Sequence, residues 1–367
     1  MMLLLQDPFA ADPAYVIETI LEACHCAVSG AGLFAFASAG GAQLLLEDKT
    51  FVSFASHCPF DLVVGVDAVT NMPAINAITS AGLRAKAMTL AFFLNERTDA
   101  LFHPKFCWFR YKTGGTLIVG SGNLTIGGLR GNWEAFSVAP LNPNEINEVE
   151  QFWETWKAKQ KAVLLPPDDP RIISQASENT GWVNLVNPED TSRRKRGGRD
   201  FGHRREEAVG PIRPDSSVLI AEIPRGGNRW TSAGFDLKNY EAFFGAKVGT
   251  QRRIVLQHVN RDGSLGDVES RPSVAVRSHN YRFELGAASG LAYPETGVPI
   301  GVFVKVATRT FRYRLLMPSD PDYSLLSKLL DEKWNGPNNE MRRVPLSVTE
   351  LRHVWPDSPF WISRSTT

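Results

Sequence analysis

Residues 102–136 read FHPKFCWFRYKTGGTLIVGSGNLTIGGLRGNWEAF, and this stretch decides how the first half of the chain is built. Its runs 106–110 and 116–120 flank Thr113-Gly114-Gly115, the pattern of a β-hairpin. His103 and Lys105 stand two residues apart where the first run begins, so on a strand they share one face. Ser121 and Asn123 stand two apart after the second run, and Asn132-Trp133-Glu134 follows. The set can present an imidazole, an ammonium, an amide and a carboxylate together. Phosphate chemistry asks for those groups: a nucleophile, cations on the non-bridging oxygens and an acid that orients the imidazole.

Outward from this stretch, the pattern alternates strand and helix. Residues 13–28 carry Val16, Ile17, Ile20, Leu21 and Cys24 at the spacing of one helix face. Residues 33–38 read as a strand, and 60–66 (FDLVVGV) as a fully buried one. Asp67-Ala-Val-Thr opens a helix through residue 81, 85–94 is another strand, and 144–161 is an amphipathic helix. Such alternation predicts an α/β layer architecture for 1–165. The uncharged stretch 27–46 is broken by Gly30, Gly32, Gly40 and Gly41, so it reads as a buried strand with a glycine-rich turn and not as a membrane span.

The order H-x-K, then G-S-x-N, then a downstream acidic residue resembles the phospholipase D superfamily. The resemblance spans most of 1–165 and implies an αβα sandwich with His103, Lys105, Asn123, Glu134 and Ser121 as catalytic residues. One position departs from the full signature: Arg110 stands where an Asp follows the Lys by five residues. The nuclease branch of the superfamily lacks that Asp and uses the later Glu, so the role passes to Glu134. The superfamily's site needs two His-x-Lys elements. His25, His57, His203, His258, His279 and His353 all lack a Lys two residues on, so one chain supplies half a site. The resemblance therefore implies a homodimer sharing one active site, with no metal and no cofactor.

Composition sets the frame for the rest. The chain has 367 residues, which at roughly 100–200 residues per domain predicts two domains. With 43% hydrophobic and 22% charged residues it is neither wholly disordered nor a coiled coil nor collagen-like. Residues 1–165 carry 11 Lys and Arg against 15 Asp and Glu, a charge of −4. Residues 166–367 carry 29 against 24, a charge of +5, so a polyanion would be gripped by the second half. The four cysteines, Cys24, Cys26, Cys58 and Cys107, form no C-x-x-C pair, which points to a reducing, cytoplasmic setting and to packed thiols. Cys24-His25-Cys26 is too tight for a metal set, and the leucines at the start lack the basic flank of a signal peptide.

Residues 166–214 read as a linker that holds RRKRGGRDFGHRR at 193–205, seven basic residues against one Asp. This run could tether, contact DNA, or lie in the active-site cleft as an autoinhibitor. From 215 to 335 the pattern is short strands at 218–223, 253–258, 273–276, 281–285, 299–306 and 310–317, with helices at 237–244 and 323–334. The block RGGNRW…F…FFG and the pairing of the two halves resemble metal-independent restriction endonucleases, whose second domain is an all-β pseudobarrel with short helices, B-three-like. That resemblance implies two DNA-reading arms: Arg225, Asn228, Arg229 and Trp230 in the first, Arg277, His279, Asn280 and Arg282 in the second. Arg suits guanine and Asn suits adenine in the major groove. Residues 336–367 read as a polar C-terminal tail.

These readings converge on a metal-independent, site-specific endonuclease of double-stranded DNA, of restriction or phage-defence type, with no membrane partner. Three alternatives stay open: a phosphodiesterase of lipid or another phosphodiester, a DNA-binding module with a silent nuclease, and the nuclease subunit of a larger defence system with a helicase/ATPase or methyltransferase partner.

Overall fold

The structure, a computed structural model, describes residues 1–97, 99–179, 208–225, 230–247, 252–272, 274–275, 281–337 and 340–362. The chain divides into two compact units, Met1–Arg199 and Asp200–Thr367.

The first unit is one sheet with helices on both faces. Its strands are β1 (Met2–Gln6), β2 (Ser29–Phe34), β3 (Phe60–Gly65), β4 (Met88–Phe93), β5 (Lys105–Arg110), β6 (Gly115–Gly120), β7 (Glu134–Leu141) and β8 (Leu164–Leu165). They lie in the order β1-β7-β6-β5-β2-β3-β4-β8. β2, β3 and β4 run parallel and the remaining pairs are antiparallel. The helices are α1 (Val16–Cys24), α2 (Ala39–Leu46), α3 (Lys49–Ala55), α4 (Met72–Arg84), α5 (Pro143–Lys159) and α6 (Pro170–Glu178). On one face Phe51 and Phe54 of α3 pack edge-on against Phe60, which stacks on Phe109 of β5. On the other face Trp153 and Ile146 of α5 pack against Trp108, Leu33 and Val63.

Four segments differ from the sequence expectation. Gly40 and Gly41 sit inside α2 and not in a turn, because Ser38 caps that helix by accepting the Gly41 N–H at 3.1 Å. The helix expected to open at Asp67 starts at Met72, capped by Asn71, because residues 66–70 form a turn in which Val69 has φ +46°. β1 and β7 are one antiparallel pair that the hairpin pattern does not reveal. Part of the linker expected over 166–214 is helix: α6 buries Ile172 and Ala176 in the first unit. The basic run 193–205 lies outside the described residues.

The second unit has a six-stranded sheet, β12-β11-β16-β15-β9-β17, and a three-stranded one, β10-β14-β13. The strands are β9 (Ser217–Glu222), β10 (Ser232–Phe235), β11 (Arg253–Val259), β12 (Leu265–Pro272), β13 (Val274–Ala275), β14 (Tyr281–Glu284), β15 (Ile300–Ala307), β16 (Thr310–Leu316) and β17 (Arg343–Ser347). Among the described residues both sheets are open, with β12 and β17 ending the larger one, and they form no closed barrel. Alternation gives the six-stranded sheet two apolar faces. One packs Leu219, Leu256, Phe303, Phe311 and Tyr313 against Phe235, Phe244 and Phe283. The other packs Val218, Ile220, Val302 and Val304 against α7 (Tyr323–Lys333) and α8 (Val348–Val354). The expected polar tail is part of this second core. Trp355 and Phe360 are buried in it, and β17 pairs with β9. The tail's few apolar residues are spaced for one strand and one short helix, too short a pattern to read among prolines.

Candidate active site

Four strand ends meet at one end of the first sheet. β2 leaves it at Phe34, β5 enters beside it at Lys105, β6 leaves at Gly120 and β7 enters at Glu134. The candidate residues of the sequence sit at these ends because the hairpin and its β7 neighbour turn there.

His103 is exposed just before β5, edge-on to the Phe36 ring at 5.6 Å between centroids. Lys105 is buried, and its Nζ lies 2.9 Å from His103 Nδ1 and donates to the His103 carbonyl at 2.9 Å. An ammonium has no lone pair, so Nδ1 is the acceptor and the neutral ring carries its proton on Nε2. The imidazole pKa is held below its ordinary value, first by partial loss of solvent and then by the Lys105 charge. The Lys105 pKa is lowered by burial, against the pull of Glu134.

Asn123 is held by the backbone that continues β2. The Phe36 N–H donates to Asn123 Oδ1 at 3.3 Å. Leu124 N–H donates to the Phe36 carbonyl and Ser38 N–H to the Leu124 carbonyl, both at 3.0 Å. With Oδ1 engaged, the two Asn123 amide N–H donors have no partner among the described residues and are available to an anion. Two glycines permit this fold of the chain. A Cβ on Gly41 would stand 2.2 Å from the Leu124 carbonyl oxygen, and one on Gly122 would stand 2.4 Å from that of Gly128.

Glu134 is engaged within the same chain. Its Oε2 accepts from the Ser121 hydroxyl and its Oε1 from Asn132 Nδ2 at 3.4 Å. The Ser121 Oγ in turn accepts the Ala135 N–H at 3.1 Å. The sequence reading has Glu134 on the imidazole; in the single chain the imidazole nitrogen instead faces Lys105. Arg110 lies at the far end of β5, roughly 17 Å from Lys105 at the strand rise. It forms a two-pronged ion pair with Glu150 of α5 at 2.5 Å. The departure at that position therefore leaves the site end of the sheet intact.

Three supporting residues were not read from the sequence. Asp67 Oδ2 accepts the Phe102 N–H at 2.9 Å and Asn95 Nδ2 at 2.7 Å, fixing the chain beside His103. Thr70 accepts the Ala37 N–H at 2.9 Å and donates to the Gly65 carbonyl at 2.8 Å. Asn179 Nδ2 donates to the carbonyls of Val66, Ala68 and Thr70 at 3.0, 3.3 and 2.8 Å. Asp67 had a signal, since it ends a buried parallel strand where α/β sheets hold ligands. Asn179 had none.

Among the described residues no group of three or more His, Cys, Asp or Glu is placed to hold a metal, and no helix is long and apolar enough to cross a membrane. The four cysteines are free, and burial pushes the Cys24 and Cys107 thiols upward.

In the second unit, Arg225 is exposed and stands over the Tyr293 ring, 5.9 Å from its centroid. Trp230, read as a DNA contact, is a core residue: it is buried and its indole N–H donates to the Leu291 carbonyl at 2.9 Å. A large aromatic with a buried carbonyl in reach packs inward. Arg282 is half-buried on β14, between Gly234 and Val274. Asn228, Arg229, Arg277, His279 and Asn280 lie outside the described residues.

No protein-family model matches the chain, and no curated protein matches it. Solved structures do. The N-terminal domain of Helicobacter pylori LlaJI.R1 is similar at 12% identity and a TM-score of 0.26, covering 35% of this chain and 97% of that domain. Nuc from Salmonella typhimurium, a phospholipase D family member, is similar at 17% identity and a TM-score of 0.32, covering 44% of this chain and 94% of Nuc. NucT from Helicobacter pylori is similar at 11% identity and a TM-score of 0.30, covering 41% and 89%.

Proposed function

We propose that the first unit is a metal-independent phosphodiesterase of the phospholipase D type and that the chain is a site-specific endonuclease of double-stranded DNA. The observation that carries the first part is the gathering of His103, Lys105, Asn123 and Glu134 at one end of the sheet, with the ammonium against the imidazole. The second part rests on the basic balance of the second half and on the exposed Arg225, with Arg282, Asn228, Arg229, Arg277, His279 and Asn280 as further readers. Trp230 drops out of that set.

The reaction follows from the groups. A phosphodiester entering the site offers Lys105 a better acceptor than a neutral imidazole, so the ammonium moves to a non-bridging oxygen. Asn123 donates its free N–H groups to the same phosphoryl group. Nδ1 of His103, released from Lys105, carries the ring proton and donates it in a hydrogen bond to a carboxylate, for which Glu134 is the candidate, which leaves Nε2 unprotonated. Nε2 then attacks phosphorus, the P–O bond to the leaving group breaks, and a phosphohistidine forms. A second, protonated His103 gives its proton to the departing oxygen. It then accepts a proton from water, whose oxygen attacks phosphorus and frees the first imidazole.

Plasmid DNA incubated with the full chain in excess EDTA, beside His103→Ala, tests this reading. Discrete fragments that vanish in the variant are expected. A smear would remove autonomous site specificity, and intact plasmid with wild-type chain would remove the hydrolytic reading.

A further inference from the structure

Trp133 stands at the rim of the site, one residue before β7 begins with Glu134. It is 64% exposed, whereas the other described tryptophans are buried or half-buried. Neither its ring nor its indole N–H has a partner among the described residues. The backbone around it is fixed. The Asn132 N–H donates to the Gly127 carbonyl at 2.8 Å, and the Asn132 carbonyl accepts from Nε2 of the buried Gln6 at 2.8 Å. The Asn132 amide holds Glu134 Oε1, and Glu134 pairs with Gln6 across β7 and β1. An indole that stays in water on an anchored backbone adds little to the core, although a large aromatic ring gains much from burial. Consecutive residues of a strand point to opposite faces, so the ring diverges from the Glu134 carboxylate and borders the phosphoryl site without filling it.

We propose that Trp133 binds substrate by stacking on the nucleobase next to the scissile phosphate. The proposal rests on the phosphodiesterase reading above and narrows the substrate to a nucleic acid with that base unstacked. A nucleotide carries its flat ring one sugar away from its phosphate, and Trp133 offers a flat ring one residue away from Glu134. Residues 1–165 carry 11 basic against 15 acidic residues, so this part of the chain does not hold a polyanion by its net charge. Stacking is a grip that charge does not supply, and it accepts any base, because each has a π face. The anchored backbone under Trp133 lowers the ordering cost of the contact. A lipid phosphodiester of acyl chains and a small headgroup has no planar ring to offer. In duplex DNA the base reaches the indole only by leaving its own stack, which costs least at a mismatch or in a single strand.

The test compares two single strands of equal length and charge: an oligodeoxynucleotide, and the same backbone with stable abasic units in place of the bases. Affinity is measured by filter binding with the full chain carrying His103→Ala, and cleavage with the full chain that keeps His103. The readout is the ratio between the two strands, so base contacts made elsewhere in the chain cancel when proteins are compared. With Trp133 the base-bearing strand should be favoured by roughly tenfold or more. Trp133→Phe should keep most of that preference, and Trp133→Ala should lower it by at least about fivefold. The side chain is exposed, so the alanine variant should keep its far-ultraviolet circular dichroism; if it does not fold, Trp133→Gln decides. A preference unchanged in Trp133→Ala would overturn the stacking. Equal weakening of both strands would overturn it too, since the ring would then serve the fold or an assembly. A binding preference that depends on Trp133, with no cleavage of either strand or of plasmid by the chain that keeps His103, would sink the hydrolytic reading and leave the base contact standing.

Discussion

The Lys105 ammonium lies 2.9 Å from His103 Nδ1, so the ammonium and the imidazole are hydrogen-bonded to each other. Both partial desolvation and the Lys105 charge lower the imidazole pKa, which widens the pH range over which the ring is neutral. Lys105→Met removes the second cause. The His103 titration followed by NMR should move upward toward the ordinary imidazole value in that variant. A titration that stays put or falls would mean that the contact does not act on the ring.

Much of this site was legible in the sequence for a simple reason. His103 and Lys105 share a strand entry, and Ser121 and Asn123 follow the partner strand, so two-residue spacing and one hairpin bring them together. Glu134 needs β7 to pair with β6, a longer-range fact that 116–136 only hints at. Asn179 was not legible at all, because its carbonyl partners lie more than a hundred residues away in sequence. In the second unit the alternation of 310–316 was plain, whereas Trp230 was misassigned because a surface arm and a core strand both use aromatics. The length of chain that completes the second core, 343–360, was hidden by its prolines.

In the proposed mechanism, removing His103 removes the nucleophile and the proton donor together. His103→Ala should lower cleavage by roughly a thousandfold or more while leaving DNA binding in a filter assay unchanged. Ser121→Ala should cost less, roughly tenfold, because Glu134 keeps its bond from Asn132. Equal losses in the two variants would argue against separate roles.

Asn179 ties three carbonyls of the turn that carries Asp67. Asn179→Ala should cost about 1–3 kcal/mol of stability, read as a lower thermal midpoint of the first unit. A change within the scatter of surface substitutions would show that the turn holds itself.

Gly41→Ala puts a methyl 2.2 Å from the Leu124 carbonyl oxygen, a contact with backbone that no rotamer relieves. It should destabilise by about 1–3 kcal/mol and lower cleavage as Asn123 shifts. Full activity with unchanged unfolding in urea would contradict the tight approach of α2 to this loop.

Trp355 is buried in the second core. Trp355→Ala should cost about 3–5 kcal/mol in urea unfolding of the second unit. If the proposed roles hold, DNA binding should be lost with the fold, while a minimal phosphodiester substrate remains a substrate of the first unit.

The pairing of β9 with β17 also orders events during translation. β9 opens the second sheet, yet one of its two flanking strands is among the later segments to be synthesised. The first unit has its sheet complete once β8 has emerged, so it can fold while the ribosome is still at work. If the proposed roles hold, a nascent chain acquires its cutting half before its reading half, and its need for a second His103 is what keeps the growing polypeptide from indiscriminate cleavage.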